Sequence, residues 1–461
     1  MNFHFSNLGY IENGNIDLAD LTIIFGENNV GKTYLSYTIY GLIKNLRNNL
    51  NFNDFLSNKI DLLINDGSLV IDLNELINEI PKALSKYSKR FSSNLDDYFN
   101  VNEGFFEHSK IEMNLKDFDW EEVTDDEYEH IAYLGGEETE ILIFKEKSNN
   151  ELNISIKGEN LTDKLPKNFV IHIVNTSIRN FLFKGSFFRD PFVITSERTG
   201  ISLFYKELDI SKNLLLETLM DSKELNPTDI INSRHSRYAR PIHDNISVIR
   251  DYENISKKKS FIQENKRQFK PLLNTLSSLI GGSFKSSEKS VLYYPKKGKD
   301  ENKAIIPFYV TSSSIKSLFL VDLYVNCLAK KGGVLIIDEP ELNLHPNKQR
   351  QIAKLLIQLV NAGIKILITT HSDYLVREIN NRIMLNNIPT KDSGKIMKEF
   401  KIDDSELLNI QQVRAFGIDD ERKITSYTVD EYGIDTRIFD KVINEANILN
   451  DKIFYSLDAE K

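Results

Sequence analysis

Leu21-Thr-Ile-Ile-Phe25 runs directly into Gly26-Glu-Asn-Asn-Val-Gly-Lys-Thr33, and Tyr34 to Arg47 then reads as a helix. A short, apolar, β-rich run ended by glycine is the pattern of a buried strand. The segment after it matches Gly-x-x-x-x-Gly-Lys-Thr in full, in the strand–loop–helix context such a loop needs. The chemistry asks for these residues. Glycines let backbone N–H groups curl around phosphate oxygens, Lys32 reaches the β and γ phosphates, and the Thr33 hydroxyl can ligate Mg2+. The helix that starts here points its positive dipole end at the anion. Gly26, Glu27, Asn28, Asn29, Val30, Gly31, Lys32 and Thr33 are therefore the candidate nucleotide-binding residues.

Two more apolar runs lie far downstream. Gly333-Val-Leu-Ile-Ile337 ends in Asp338-Glu339-Pro340, and Ile364-Lys-Ile-Leu-Ile-Thr-Thr370 ends in His371. Between them, Pro346 to Asn361 carries Ile352, Leu355, Leu356 and Leu359 on one helical face. Strands alternating with helices imply an α/β fold around a parallel sheet. Ligands of such sheets gather at the carboxyl ends of the strands, where Asp338, Glu339 and His371 fall. Asp338 is the candidate Mg2+ ligand beside Thr33. Glu339 is placed to orient or deprotonate the attacking water, and His371 to sit beside the γ-phosphate. Ser312, Ser313 and Ser314 precede a helix expected over 318–330. Serines there can cap the helix or form an anion site, and sequence physics favours the cap.

The order of these elements resembles the ABC-type ATPases of the SMC/RecF/OLD branch. Ile336-Ile-Asp-Glu-Pro-Glu-Leu-Asn-Leu-His-Pro346 is most similar to the RecF- and OLD-like members. The resemblance implies an ABC-ATPase head with a mixed sheet, split by a large α+β insertion. It also implies an ATPase using ATP and Mg2+, with Ser312 to Ser314 as the signature loop. Two heads would pair head to tail as a homodimer or higher homo-oligomer, with Leu342 to His345 facing the partner. Where family members carry a glycine after the serines, this chain has Ser314. Glu197 and Arg198 stand as candidates for nucleotide or Mg2+ sensing, with an ordinary strand-end ion pair equally open. Sustained heptads of SMC type are not evident. Asp403-Asp404 and Asp419-Asp420-Glu421 read as surface loops rather than a Toprim metal site. The resemblance is to stand-alone OLD-like ATPases, as in PARIS-type and then Septu-type anti-phage systems. It implies a sensor or scaffold controlling a separate Toprim or HNH nuclease, with a phage protein as trigger. The alternative is a RecF-like DNA-binding ATPase in repair or recombination.

The 461 residues suggest about three domains by length. The motifs instead demand that residues near 30 and near 338 meet in one core. The expected division is 1–48 (phosphate loop), 49–190 (inserted helical and strand region), 191–300 (helical and basic), 301–385 (signature, Asp338-Glu339 and His371) and 386–461 (small α+β tail). Within these, Leu50 to Ser92 reads as mostly helical and Ser256 to Gly281 as one helix. Ile141–Phe144 and Leu152–Lys157 read as a hairpin, and Arg437 to Ile448 as a helix. The net charge is −9, which argues against nonspecific coating of nucleic acid. It is uneven. No Lys or Arg occurs between Lys116 and Lys145, and Asp117 to Glu140 reads as a solvated loop. Arg198, Arg234, Arg237, Arg240 and Arg250, with His235 and His243, and then the lysines of 257–270, form a basic stretch. Cys327 is the one cysteine, so no intramolecular disulfide is possible and a cytoplasmic location is expected. No apolar run is long enough to cross a membrane, and the first residues lack a signal-peptide layout.

Overall fold

The computed structural model describes residues 1–57, 59–115, 118, 120–134, 139–158, 166–184, 191–205, 238–287, 290–296, 305–435, 447–454 and 456. In chain order, β1 (Asn2–Leu8), β2 (Ile11–Asp17) and β3 (Leu21–Phe25) lead into helix α1 (Lys32–Asn49). The intervening region supplies β4 (Ser68–Asp72), β5 (Lys110–Asn114), β6 (Tyr128–Leu134), β7 (Thr139–Lys145) and β8 (Glu151–Gly158). Next come β9 (Phe192–Ile194), then β10 (Gly282–Ser287), β11 (Ser290–Pro295) and β12 (Ile306–Pro307), which form a small separate sheet. The last core strands are β13 (Val334–Asp338), β14 (Lys365–Thr370), β15 (Val413–Ile418) and β16 (Lys423–Tyr427).

The central sheet has nine strands in the order β5-β1-β2-β16-β15-β3-β14-β13-β9. From β15 to β9 every neighbouring pair is parallel. The β1–β2 and β1–β5 pairs on the other wing are antiparallel. The fold is thus mixed α/β. Apolar side chains cover both faces of the parallel part. Ile24, Ile336 and Leu367 pack into one core with α1, while Ile23, Ile337 and Ile368 pack into the other with Leu320, Leu356 and Ile379. Burial on both faces explains why β3, β13 and β14 read as unbroken apolar runs rather than alternating ones.

Register sets the site. Thr370 lies opposite Phe25, and Asp338 opposite Thr369, so the loops after β3, β13 and β14 leave the same sheet edge. Helix α1 leaves β3 and crosses the first core. Its Gly41 packs against Tyr98 and Phe91 so closely that an added Cβ would stand 2.6 Å from the Tyr98 ring.

Several expectations change. Part of the expected small α+β tail, residues 386–461, belongs to the central sheet. β15 and β16 insert into the central sheet between β3 and β2, because their backbone groups complete the ladder at the edge of β3. Likewise β5, from the intervening region, pairs with β1. Leu50 to Ser92 carries the helices Asn53–Leu56, Lys59–Asp66 and Leu73–Ser93, with β4 between the last two, and β4 joins the four-stranded sheet β4-β8-β7-β6. The expected hairpin is the β7–β8 pair of that sheet. The acidic run is not all loop. It holds the helix Trp120–Asp125 and β6, whose Ile131 pairs across with Leu142 and whose Tyr128 ring packs tilted against Phe181. Ser256 to Gly281 is not one helix but is broken between Tyr252–Ile255, Phe261–Glu264 and Lys270–Ile280. Ser260 caps a new start by accepting from Gln263 N, and Pro271 sits in the first turn of the next, where its missing N–H costs nothing. The helix expected over 318–330 runs Ser313–Leu323 and then loosens into a π-helical turn over Tyr324–Leu328. A helix covers 447–454, while 437–446 of the expected Arg437–Ile448 helix lie outside the described residues. So do Arg234, His235 and Arg237, and Asp117 of the acidic run.

Candidate functional site

The loop after β3 turns through backbone conformations that side chains resist. Gly26 has φ 151° and Gly31 has φ 97°, and Gly31 is the residue that caps α1. Glycine adopts both without strain, which leaves the first N–H groups of α1 pointing into the loop. Lys32 folds over the loop, its Nζ donating to Gly26 O at 2.9 Å and Glu27 O at 2.6 Å. Burial pushes its ammonium below the ordinary lysine range, and Glu339, Asp338 and Glu341 pull the other way. Glu27, Asn28 and Asn29 are exposed along the loop, and Val30 is half-buried.

Thr33 and Asp338, far apart in sequence, are in contact. The Thr33 hydroxyl donates to Asp338 Oδ2 at 2.9 Å, and the Thr369 hydroxyl donates to Oδ1. Asp338 is buried, and that burial raises its pKa against the two hydroxyl bonds. A carboxylate and a hydroxyl in contact at this strand end are oxygen donors of the kind a hard cation needs. Those residues fit Mg2+.

Glu339 sits at φ 52°, in the left-handed region, where the chain turns out of β13. Its backbone N–H is held by Thr369 O and Oγ1, both at 3.1 Å. Its Oε1 lies 3.4 Å from His371 Nδ1. That contact holds the Glu339 carboxyl below its usual range and raises the imidazole above its own.

Arg198 proves central to the architecture. It is 1% exposed and donates to Ser317 O, Thr195 O, Asp338 O and Glu339 O. One guanidinium thus ties β9, the end of β13 and the Ser313–Leu323 helix together. Among the described residues it forms no strand-end ion pair. Glu197 beside it accepts from the Tyr37 hydroxyl of α1 at 2.8 Å. Ser312 acts as the helix cap, accepting from Ile315 N at 3.4 Å. Among the described residues no hydrogen bond joins Ser312, Ser313 or Ser314 to the phosphate loop, Asp338 or Glu339. Their connection to the site runs through Ser317 and Arg198. Asp403 and Asp419 serve local turns, accepting from Ser405 N and Lys423 N.

Sequence reasoning passed over Glu341 and Thr369. Glu341 is 3% exposed and accepts from Thr370 Oγ1 and from His371 N. The signal available was a third acid directly after Asp338-Glu339-Pro340, in a stretch otherwise read as loop.

A family model described as AAA ATPase domain matches residues 1–376. The chain belongs to this ATPase family. Its members' name supplies the general activity, ATP hydrolysis, and with it ATP as the bound nucleotide. Over 111 residues the ATPase is 32% identical to the energy-coupling factor transporter ATP-binding protein EcfA of Methanococcus maripaludis. That stretch covers 22% of this chain and 37% of the relative, so the ATPase spans little more than a third of the length of that protein. Among solved structures, the ATPase aligns with an Smc head bound to the C-winged helix domain of ScpA, at 11% identity and a TM-score of 0.33, over 93% of this chain and 98% of that one. An SMC head domain from Thermotoga maritima aligns at 9% identity and a TM-score of 0.29, over 93% and 98%. At these scores the fold rests on the strand order itself. Among the described residues no helix of the ATPase is long and apolar enough to cross a membrane.

Proposed function

We propose that the chain is an ABC-type ATPase that hydrolyses ATP at one site built from the loop 26–33, Asp338, Glu339 and His371. The observation that carries this is the convergence of Thr33, Asp338, Glu339 and His371 from three separate strand ends. The backbone N–H groups of 26–33 and the Lys32 ammonium would bind the β and γ phosphates. Thr33 and Asp338 would hold Mg2+, which when bound neutralises phosphate charge. Glu339, kept ionised by His371, accepts a proton from the attacking water or orients it. His371 both fixes Glu339 and offers a donor toward the developing negative charge. The Ser312–Ser314 helix start would act across a head-to-tail dimer, on the γ-phosphate held by a second copy. The test is nucleotide binding and turnover in Lys32→Ala: both fall to background if the reading holds, and unchanged turnover contradicts it.

At the level of the cell, the reading is a sensor or scaffold subunit of an anti-phage complex that restrains a nuclease effector until a trigger arrives. The similarity of Ile336–Pro346 to OLD-like members supports it. Phage plating on cells carrying this chain with its neighbouring genes tests it. Protection lost in Lys32→Ala supports the role, and protection independent of Lys32 refutes it.

A second reading, contact with DNA, draws on one feature. A cleft of about 1230 Å³ at the opposite edge of the sheet is lined by Lys44, Arg47, Lys258, Lys259, Lys330 and Lys331, against Asp244 and Glu264. A concave cationic wall suits a phosphodiester backbone. DNA affinity that falls steeply with salt, and falls further in Lys258→Ala with Lys259→Ala, supports this reading. Absence of binding at low salt excludes it.

A further inference from the structure

Glu341 follows Pro340, and its side chain reaches the end of β14. Its Oε1 accepts from the Thr370 hydroxyl at 2.6 Å and from the His371 backbone N–H at 2.9 Å. The same oxygen stands 3.5 Å from His371 Nδ1, almost as near as Glu339 Oε1 at 3.4 Å. The other oxygen, Oε2, is buried and has no hydrogen-bond partner among the described residues. A buried carboxylate is costly to desolvate, and an apolar side chain could fill the space without that cost. An acid kept in such a place has a task that packing does not explain.

A second contact runs in parallel. Gln349, on the Pro346–Asn361 helix, accepts from the Ser372 hydroxyl at 2.6 Å and donates to Leu344 O at 2.9 Å. Residues 341–344 and 370–372 are therefore fastened at two points. Between those points the chain is tightly turned, with Leu342 N bonded to Glu339 O and Leu344 N to Glu341 O. The loop cannot shift without carrying His371 with it.

We propose that Glu341 is a positioning residue for hydrolysis: it fixes the backbone and ring of His371 and thereby sets the His371–Glu339 pair in place. The inference rests on the reading of this site as a hydrolysis centre. Glu341 itself touches neither phosphate nor water in this scheme. It acts through His371. That assigns the loop 341–345 a second role, since any body pressed against it would change the geometry of the pair.

The experiment compares kcat and ATP affinity in the full chain for Glu341→Ala, Glu341→Gln, Thr370→Val, His371→Ala and the double variant Glu341→Ala with His371→Ala. Glu341→Ala should lower kcat by about tenfold to hundredfold, the scale of a misplaced acid–base group, with ATP affinity within about twofold. Glutamine keeps a carbonyl acceptor for Thr370 and the His371 N–H, so Glu341→Gln should hold kcat within about threefold. The double variant should be no slower than His371→Ala alone, because residues acting as one unit are not additive. If Glu341→Ala fails to fold, Thr370→Val removes one donor and should lower kcat only where His371 is present. Losses that add in the double variant overturn the proposal, as does wild-type kcat in both Glu341→Ala and Thr370→Val. A merely structural role would lower kcat in step with stability in all backgrounds, His371→Ala included. A wild-type chain with no Lys32-dependent turnover would instead refute the hydrolysis reading itself.

Discussion

Replacing Arg198 with methionine should loosen the whole nucleotide side of the sheet. Methionine keeps most of the stem volume but deletes the charge and the bonds at 3.0, 3.1, 2.9 and 2.6 Å to Ser317 O, Thr195 O, Asp338 O and Glu339 O. Hydrogen bonds to a charged group contribute roughly 1.5–3 kcal/mol each, so four such bonds sum to a gross ~6–12 kcal/mol. Desolvation offsets much of this. Burial already pushes the Arg198 pKa down, with Asp338, Glu341 and Glu339 opposing it. Buried carbonyls left without a donor cost about 1–3 kcal/mol each, partly offset by removing the buried charge, so a net loss of about 3–5 kcal/mol is expected. A chain of 461 residues has an unfolding entropy of about 1 kcal/mol/K, so Tm should fall by about 3–5 °C. Differential scanning calorimetry measures the shift, and an ATPase assay on the same sample should show kcat reduced, because Glu339 loses the anchor on its carbonyl. Arg198→Lys should rescue neither, since a single ammonium cannot span four carbonyls on three segments. A Tm within 1 °C of wild type, with kcat unchanged, would refute the reasoning.

Gly41→Ala should destabilise by about 1–3 kcal/mol, because the new methyl would stand 2.6 Å from Tyr98 and 2.7 Å from Phe91 in a filled core; urea unfolding midpoints check this. Asp322 is raised to about 7 by burial, against a hydrogen bond from Asn326, so its folded pKa lies above its unfolded value of 3.8. The folded state then holds the proton longer, so the contribution of Asp322 to stability falls as pH rises from about 4 to about 7 and is constant above. Asp322→Asn should remove that slope and be more stable than wild type near pH 8 by on the order of 1–4 kcal/mol, read as unfolding free energies across the pH range.

Much of the site was legible because its pieces are local. The strand–loop–helix around Gly26–Thr33 and the helix Pro346–Asn361 follow from periodicity, caps and glycine alone. Asp338 and His371 were legible as strand ends, since a parallel sheet gathers such ends on one edge. What sequence missed is non-local. Nothing in Val413–Ile418 says that it pairs with β3, nearly the whole chain away, because backbone ladders carry no side-chain code. Arg198 read either as a nucleotide or Mg2+ sensor or as half of a strand-end ion pair, since its actual partners, four carbonyls from distant segments, leave no trace in the local sequence. Glu341 drew no reading at all, because only the turn at Glu339 brings it against Thr370. The break at Ser260 was hidden by the lysines around it, which suit a helix as well as a loop.

The central claim is that residues from three strand ends form one hydrolytic site, and Glu339→Gln tests it most directly. The substitution preserves size and removes only the basic oxygen. Purified variant and wild type are compared for steady-state phosphate release and for binding of ATP in the presence of Mg2+. The account predicts wild-type turnover that depends on Mg2+, and a variant that binds ATP within about threefold of wild type while releasing phosphate about a hundredfold or more slowly. A Glu339→Gln chain that hydrolyses at the wild-type rate would contradict it.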